Sequence, residues 1–511
     1  MKSKYRMFTA ITLLIISLAF VITGCGANER CENEADAQEE TPYYDSYTAS
    51  MEYIADVADI SEETPEDGIY EPNDELPQEI RCHNPIETGY AHNEDKQYAA
   101  SIPLDLAAYF FTRLCALFDA DNGYLWGGPL HTPFIFLDLA TRYIVANQPD
   151  PAGRFERRGN VYVGTLPTNL PAMYSFPNFN GQRWAVLPWD LIKWNVEHPE
   201  NVLLTMAHMS FHVQQPSLFG STPGWDNSHM DQKFPRITVQ LEINALIHAL
   251  QNEGDERLRA VSDALSIRAG RRAEYGRARY ENIFEFHEGL ADYTETRLLN
   301  IDMDILLVRL EARAYNLRHT TAIGGAFGYL SGALYAYLLD ETGKPWRENI
   351  RYGADLGAML KDALEIAELT PFEELDLVPY GYEEISAFEA ERYEDHQRKL
   401  DEIAEAFAQE PTLRIPFSFE GGDMQVNPSR IFFVPSVGRV HGATVVVSGV
   451  FGRLEMYDGY FARHDVTQDG RIVATGMVIE GNMVYGPGWV LELRDNFEIL
   501  PDGDNFVVGR V

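Results

Sequence analysis

The chain has 511 residues, which is enough for two or three domains. Its hydrophobic fraction of 45% is ordinary for a globular protein. The formal net charge of −37 argues against nucleic acid as a partner, because phosphates would be repelled. The four cysteines form no CxxC pair, so the sequence also argues against a zinc site built from thiolates.

Residues 1–25 have the pattern of a signal peptide. Three basic residues precede an apolar run at 8–21 that is too short for a comfortable transmembrane helix. The stretch ITGC at 22–25 follows and resembles the lipobox of bacterial lipoproteins, in which the cysteine is lipidated. A plain secretory signal that ends near a cysteine is the alternative. The pattern predicts that Cys25 anchors the protein to a membrane of the bacterial envelope, on the extracytoplasmic side.

Residues 26–90 are predicted to be an acidic, disordered tether. Residues 26–80 contain 18 acidic residues and a single basic one, Arg30. A chain this charged cannot bury enough apolar surface to offset the entropy that ordering would cost, and its charges repel one another. The tether should therefore be extended. Three cysteines remain beyond Cys25, and at most one disulfide can form among them.

Residues 91–410 read as a mainly helical domain with a small β-region near its start. A helix is predicted over 104–120, and strand-like runs follow between 132 and 192. Further helices are predicted over 199–215, 237–251, 255–276, 280–300, 325–343 and 383–409. After Pro411, short strands with glycine and Asn/Asp turns predict a small all-β domain over 411–511, either a sandwich or a barrel. The fold class is therefore predicted to be α+β.

The stretch TMAHMSFHVQQ at 205–215 contains a candidate metal-binding pair. His208 and His212 are four residues apart on a predicted helix, so both imidazoles can reach one ion from the same face. The alternative is an ordinary helix, because this spacing also occurs by chance and a histidine on a semi-apolar helix is usually part of the core. A third ligand is needed to separate the two.

The stretch FHEGLADYTE at 286–295 offers that ligand in Glu288. Two histidines and one carboxylate leave a coordination position open, as in catalytic zinc sites. The segment resembles the NEGLAEY motif of gluzincin metallopeptidases, and the resemblance implies that Glu288 is the third ligand of one zinc ion. His287 stands where that motif has asparagine. Its side chain is predicted to leave the ligand face of the helix, so it is not predicted to be a ligand.

A third segment, GYLSGALYAYLL at 328–339, resembles the gluzincin YxKGA segment. The resemblance assigns Tyr329 a hydrogen bond to the tetrahedral intermediate, although Ser331 stands where lysine is common. A packed aromatic helix is the alternative. Three partial motifs in the expected order identify the body as a zincin-like, gluzincin domain. From about residue 105 onward it also resembles a largely uncharacterised group of bacterial secreted proteins, through segments such as LWG at 125–127 and LEINAL at 241–246.

The main departure from the family pattern is Met209. In gluzincins the residue after the first histidine is a glutamate that takes a proton from the zinc-bound water. Methionine has no titratable group, and general acid–base catalysis contributes roughly 10²–10⁴-fold. Glu242 is a candidate for orienting a ligand histidine or for replacing the base. Glu285 and Asp292 are interpreted as supporting or surface carboxylates.

Three functions are compatible with this sequence. The preferred hypothesis is a membrane-anchored pseudopeptidase that binds zinc and has lost efficient hydrolysis, with peptides or an envelope protein as partners. The second is an active zinc hydrolase with a rearranged base. The third is a structural or adhesive surface lipoprotein in which the β-domain acts. Bound metal would exclude the third, and hydrolysis lost on chelation would favour the second.

Overall fold

The computed structural model describes residues 102–139, 141–166, 178–179, 181–193, 195–220, 224–320, 322–417, 423–425, 431–443, 445–463 and 469–510. The predicted signal peptide, Cys25 and the predicted tether lie outside these residues. The described chain divides into two compact units, residues 102–389 and 390–510. The protein has a mixed α+β fold, as predicted, because helices dominate the first unit and strands dominate the second.

All seven predicted helical segments are helical in the structure, but the helices at Met303–Leu317 and Leu356–Ala363 were not predicted, and the short helix at Trp189–Ile192 stands where a strand-like run was predicted. In chain order, the described helices are α1 (Leu104–Asp121), α2 (Trp189–Ile192), α3 (Pro199–Phe219), α4 (Lys233–Gln251), α5 (Gly254–Tyr275), α6 (Ala278–Phe284), α7 (Leu290–Leu298), α8 (Met303–Leu317), α9 (Phe327–Glu341), α10 (Leu356–Ala363) and α11 (Tyr382–Gln409). The helix predicted over 280–300 is two helices, α6 and α7, joined by a π-helical turn at Glu285–Gly289. No described helix combines the length and the apolar character that a membrane span requires.

The first unit contains one five-stranded sheet and one small hairpin. The strands are β1 (Phe134–Leu137), β2 (Tyr143–Ala146), β3 (Glu156–Arg158), β4 (Val161–Thr165), β5 (Asn178–Phe179), β6 (Gln182–Arg183) and β7 (Ala185–Pro188). The sheet order is β3-β4-β2-β1-β7, with β1 antiparallel to β2 and parallel to β7. Alternate residues of β1 face two different cores, so the strand is buried on both sides.

The second unit is built from thirteen described strands in two sheets. They are β8 (Thr412–Ile415), β9 (Asp423–Gln425), β10 (Ile431–Val434), β11 (Gly438–Gly442), β12 (Val445–Gly449), β13 (Gly452–Met456), β14 (Tyr460–Arg463), β15 (Gly470–Val473), β16 (Val478–Glu480), β17 (Met483–Gly486), β18 (Trp489–Leu493), β19 (Phe497–Asp502) and β20 (Asn505–Arg510). The sheet orders are β10-β11-β14-β15-β8-β20-β19 and β16-β17-β18-β13-β12-β9. Buried side chains of both sheets share one core, which favours a sandwich over a barrel.

Candidate metal centre

Helix α3 carries both candidate histidines. The helix starts at Pro199, whose fixed φ suits a first helical position, and residues 201–213 are all buried. The one-turn spacing brings the rings of His208 and His212 edge to face, with centroids 4.7 Å apart. Their Nε2 atoms are 3.0 Å apart. The two imidazoles therefore point to one place in the interior of the first unit.

Glu288 approaches from the π-helical turn between α6 and α7. Such turns are rare and occur frequently at functional sites. The turn packs directly against α9, where a Cβ atom on Gly289 would lie 2.5 Å from the Cα of Gly332. Only glycine fits at such a distance. The two glycines that follow Glu288 and Ser331 in the sequence motifs are thus the residues that let α9 approach the turn.

Three ligand atoms converge at this place. The Oε2 atom of Glu288 lies 3.1 Å from His212 Nε2 and 3.4 Å from His208 Nε2. With metal–ligand distances near 2.0–2.1 Å, two ligands of a tetrahedral zinc ion are roughly 3.3 Å apart. The side chains of His208, His212 and Glu288 are only 2%, 4% and 6% exposed. The spacing therefore fits three ligands of one ion and leaves a fourth position open.

The second ring nitrogen of His212 fixes its tautomer. Its Nδ1 atom lies 2.8 Å from Gln215 Oε1. The amide of Gln215 can be oriented only one way, because its Nε2 donates to the carbonyl oxygens of His287 (2.8 Å) and Phe286 (3.4 Å). His212 Nδ1 must then carry the proton, and the Nε2 lone pair of the neutral ring is directed at the three-atom cluster.

His208 has carboxylate partners on its far side. Its Nδ1 atom lies 3.1 Å from Glu295 Oε2 and 3.5 Å from Asp292 Oδ1. Asp292 is also paired with Arg313. A histidine that donates Nδ1–H to a carboxylate and presents Nε2 to a metal is a recurrent arrangement in zinc proteins. Both histidines are therefore oriented for coordination through Nε2.

The electrostatics of the cluster favour a cation. Burial lowers the pKa of His208, but hydrogen bonds with Asp292, Glu288 and Glu295 outweigh burial and raise that pKa well above its usual value. Burial raises the pKa of Glu288, whereas its electrostatic interaction with His212 and its contacts with both histidines hold that pKa well below its usual value. Three carboxylates surrounding two imidazoles thus stabilise positive charge at this place.

Tyr329 and Met209 both lie in the interior close to His208. The Tyr329 ring stacks on the His208 ring, with centroids 5.8 Å apart and planes 15° from parallel. The structure therefore brings the predicted tyrosine to the candidate site. Met209 follows His208 on α3, is 2% exposed and belongs to the main apolar core. Its position contributes no ionisable group.

Glu242 lies in a different set of contacts from the one predicted. Its carboxylate accepts hydrogen bonds from Arg268 (3.0 Å) and Tyr335 (2.7 Å) and pairs with Arg271 at 2.6 Å. Burial raises the pKa of Glu242, but the charges of Arg271 and Arg268 and the tyrosine hydrogen bond hold it below its usual value. The prediction that Glu242 orients a ligand histidine or acts as a base finds no support in these contacts.

Glu285 belongs to the same buried ion network. It accepts a hydrogen bond from Arg268 at 2.6 Å and one from Ser331 at 2.8 Å. Ser331 is the residue at the position where the gluzincin segment has lysine. The contact therefore ties α9 to the π-helical turn that carries Glu288.

His287 is closer to the cluster than the sequence predicted. A regular helix would direct its side chain away from the face of Glu288. Instead its ring packs against His212 with centroids 4.4 Å apart. The π-helical turn is the physical reason, because its wider turn brings consecutive side chains nearer to a common face.

Glu295 and Gln215 were not identified from the sequence as residues of the site, whereas Asp292 was named as a supporting or surface carboxylate. Glu295 lies seven positions after Glu288, and Asp292 lies four positions after it, so a helical wheel would have placed the three carboxylates on one face. Gln215 lies three positions after His212 and carried a similar signal. Asp292 is buried and its Oδ1 lies 3.5 Å from His208 Nδ1, which fits the supporting carboxylate of the two predicted alternatives rather than the surface one.

A second possible group of metal ligands is less suitable. Cys115, Asp119 and His131 have ligand atoms within 4.8 Å of one another. Cys115 is disulfide-bonded, however, and so offers no thiolate. His131 Nε2 lies 2.9 Å from Asp119 Oδ1, which is a simple histidine–carboxylate pair.

A cleft of about 1160 Å³ lies elsewhere in the first unit. Its lining residues include Tyr293 and Arg297 of α7, together with Tyr124 and Arg347. The three candidate ligands do not line it. The cleft and the histidine–glutamate cluster are therefore separate features of the described residues.

Comparison with known proteins gives no relative. No protein-family model, no curated protein and no solved structure matches the chain. The geometry of the cluster and the sequence motifs are therefore the features that indicate a function.

Proposed function

We propose that this chain is a gluzincin-like, zincin-fold protein that binds one zinc ion through His208, His212 and Glu288 and hydrolyses peptides poorly. The observation that carries the proposal is the triangle of Nε2, Nε2 and Oε2 atoms with sides of 3.0, 3.1 and 3.4 Å. The partners of the two Nδ1 atoms, Glu295 for His208 and Gln215 for His212, leave both Nε2 atoms directed at the same place as Glu288 Oε2. Two Nε2 atoms and one carboxylate oxygen at these distances are a donor set for one metal ion.

The donor set also fits zinc in its chemistry. Two imidazole nitrogens and one carboxylate oxygen are borderline ligands that suit zinc, and the remaining position can accept a water or a substrate oxygen. Bound zinc would polarise that oxygen ligand. Glu295 and Gln215 would orient the two imidazoles, and Tyr329 lies beside His208 on the same site.

Impaired hydrolysis follows from the residues available as a base. Met209 has no ionisable group. The carboxylates of Glu242 and Glu285 are bound by arginines, and Glu295 and Asp292 face the Nδ1 side of His208. A general base must lie within hydrogen-bond reach of the proton that it accepts. These contacts therefore favour the zinc-binding pseudopeptidase over an active zinc hydrolase with a rearranged base.

The proposed location depends on the sequence alone. We propose that Cys25 carries a lipid, that residues 26–90 hold the folded body away from the membrane surface, and that the protein faces the extracytoplasmic side of a bacterial envelope. Peptides or an envelope protein are the partners that suit such a site. The strongly acidic chain argues against nucleic acid.

The test is the metal content of the full chain, purified in detergent, together with hydrolysis of a fluorogenic peptide library. We expect one zinc per chain in the parent and none in His208→Ala. Met209→Glu should hydrolyse peptides roughly 10²–10⁴-fold faster than the parent. Met209→Gln is the matched control, since it has the same size as Met209→Glu without the carboxylate.

The outcomes separate the hypotheses. Absence of metal in both the parent and Met209→Glu would refute the zinc site and favour a structural or adhesive role. Peptide hydrolysis by the parent that chelators abolish would support the active hydrolase instead.

A further inference from the structure

His287 is a largely buried residue whose imidazole forms no hydrogen bond with the residues that the structure describes. Its Nδ1 atom is buried and has no hydrogen-bond partner. Its Nε2 atom lies 3.9 Å from Glu288 Oε1, which is beyond hydrogen-bond distance. Buried polar groups nearly always have a partner, because leaving one unpaired costs free energy. The exception at His287 therefore calls for a partner that is not part of the polypeptide.

The imidazole of His287 can form hydrogen bonds in either direction. A ring N–H donates a hydrogen bond, and an unprotonated ring nitrogen accepts one. His287 can therefore donate a hydrogen bond to one oxygen ligand or accept one from it.

The position of the ring is fixed beside the three-atom cluster. The His287 ring packs against His212 at a centroid distance of 4.4 Å and against Trp225 at 5.2 Å. Its backbone carbonyl accepts a hydrogen bond from Gln215, the residue that orients His212. Glu288 is the next residue in the chain. His287 is therefore held against two of the three candidate ligands.

We infer that His287 hydrogen-bonds the oxygen ligand bound at the open position of the metal, whether water, a carboxylate or a hydroxamate. The inference rests on the proposed zinc site and adds a residue to it. Met209 offers that ligand no strong hydrogen bond, whereas His287 offers one from the neighbouring turn. His287 is thus a ligand-contacting residue, and the site selects small oxygen donors that also form a hydrogen bond.

The experiment uses the full chain loaded with Co(II), whose visible spectrum reports the metal's ligands. Acetohydroxamate is the probe, and its affinity is measured from the change in that spectrum. His287→Phe keeps an aromatic ring against His212 and Trp225 but removes both nitrogens. His248→Asn is the control, because His248 pairs with Glu256 rather than with any residue of the cluster.

We expect all three proteins to bind Co(II) alike, since the three candidate ligands remain. Acetohydroxamate should bind His287→Phe about three- to tenfold more weakly than the parent, which is the effect of one net hydrogen bond. The affinity of His248→Asn should equal that of the parent.

Two results would overturn the inference. Equal acetohydroxamate affinity in His287→Phe and the parent would show that His287 makes no such contact. Loss of Co(II) from His287→Phe alone would show that His287 binds the metal directly. A parent protein that takes up no Co(II) would instead refute the zinc site, and the inference with it.

Discussion

The Nδ1 atom of His212 lies 2.8 Å from the Oε1 atom of Gln215, on the same helix. Gln215 in turn donates to the backbone of the turn that carries Glu288. One side chain therefore sets the tautomer of one candidate ligand and connects it with the segment of another. Such outer partners commonly affect metal affinity almost as strongly as the ligands do.

Replacing Gln215 should weaken zinc binding without removing a ligand. In Gln215→Leu the imidazole of His212 loses its acceptor, so the tautomer with Nε2 unprotonated is no longer favoured. We expect zinc affinity to fall about 10- to 100-fold. Competition with a chromophoric chelator at pH 7 measures this. Gln214→Leu is the matched control, because Gln214 donates to His131 and Thr132 instead; equal affinities in the two variants would contradict the prediction.

Replacing Glu242 should affect stability rather than metal binding. Its carboxylate neutralises Arg268 and Arg271 in the interior, and Glu242→Gln leaves buried positive charge without full compensation. We expect the free energy of unfolding to fall by about 3 kcal/mol, measured by urea titration. The zinc affinity of the folded protein should change less than about twofold, since the contact acts away from the ligands.

The control for Glu242 is Glu256→Gln, an exposed carboxylate that should matter little. A large loss of zinc affinity in Glu242→Gln would contradict this prediction and support the hypothesis that Glu242 orients a ligand histidine.

Alanine at Gly289 should disturb both the fold and the site. Its Cβ atom would lie 2.5 Å from Gly332 Cα and 2.7 Å from the Gly328 carbonyl oxygen, so the π-helical turn must move away from α9. We expect a loss of about 1–3 kcal/mol in the free energy of unfolding, and weaker zinc binding because Glu288 moves with the turn.

Thermal unfolding and chelator competition check this prediction. Gly224→Ala is the comparison, since a Cβ atom there meets no described atom within 4 Å. Wild-type stability and zinc affinity in Gly289→Ala would mean that the close approach of α9 is not required.

His441 should make the second unit sensitive to acid. Burial, aided by the charges of Arg463 and Arg439, lowers its pKa to about 3. The unfolded chain binds a proton near pH 6.5 but the folded chain does not, so stability is fully present above pH 6.5 and decreases as the pH falls toward 3. Between pH 7 and 4.5 the proton taken up by His441 in the unfolded chain lowers the free energy of unfolding by about 2–3 kcal/mol.

His441→Leu should remove that part of the pH dependence. It should also stabilise the unit at every pH, because neither ring nitrogen of His441 has a hydrogen-bond partner among the described residues. Hydrogen exchange of peptides from β11 and β14, corrected for intrinsic rates, gives the local stability at each pH. An identical pH slope in parent and variant would show that His441 does not titrate in this way.

Much of this protein was predictable because helices and strands are set by local patterns. The periodicity of apolar residues gave the limits of α1, α3 and α11 to within a few residues, and the change after Pro411 indicated the β-rich unit. The i, i+4 spacing of His208 and His212 required no tertiary information, since a helix places them on one face. The absence of a base at Met209 is likewise a property of the sequence.

What only the tertiary structure decided is which side chains meet across helices. Glu288 is 76 residues from His212 in sequence, yet the atoms lie 3.1 Å apart because α9 packs closely behind the turn that carries Glu288. The packing of the helices also pairs Glu242 with Arg268 and Arg271 instead of with a ligand histidine. The local widening of one helical turn directed His287 toward the site, and periodicity alone, which assumes a regular helix, could not indicate that.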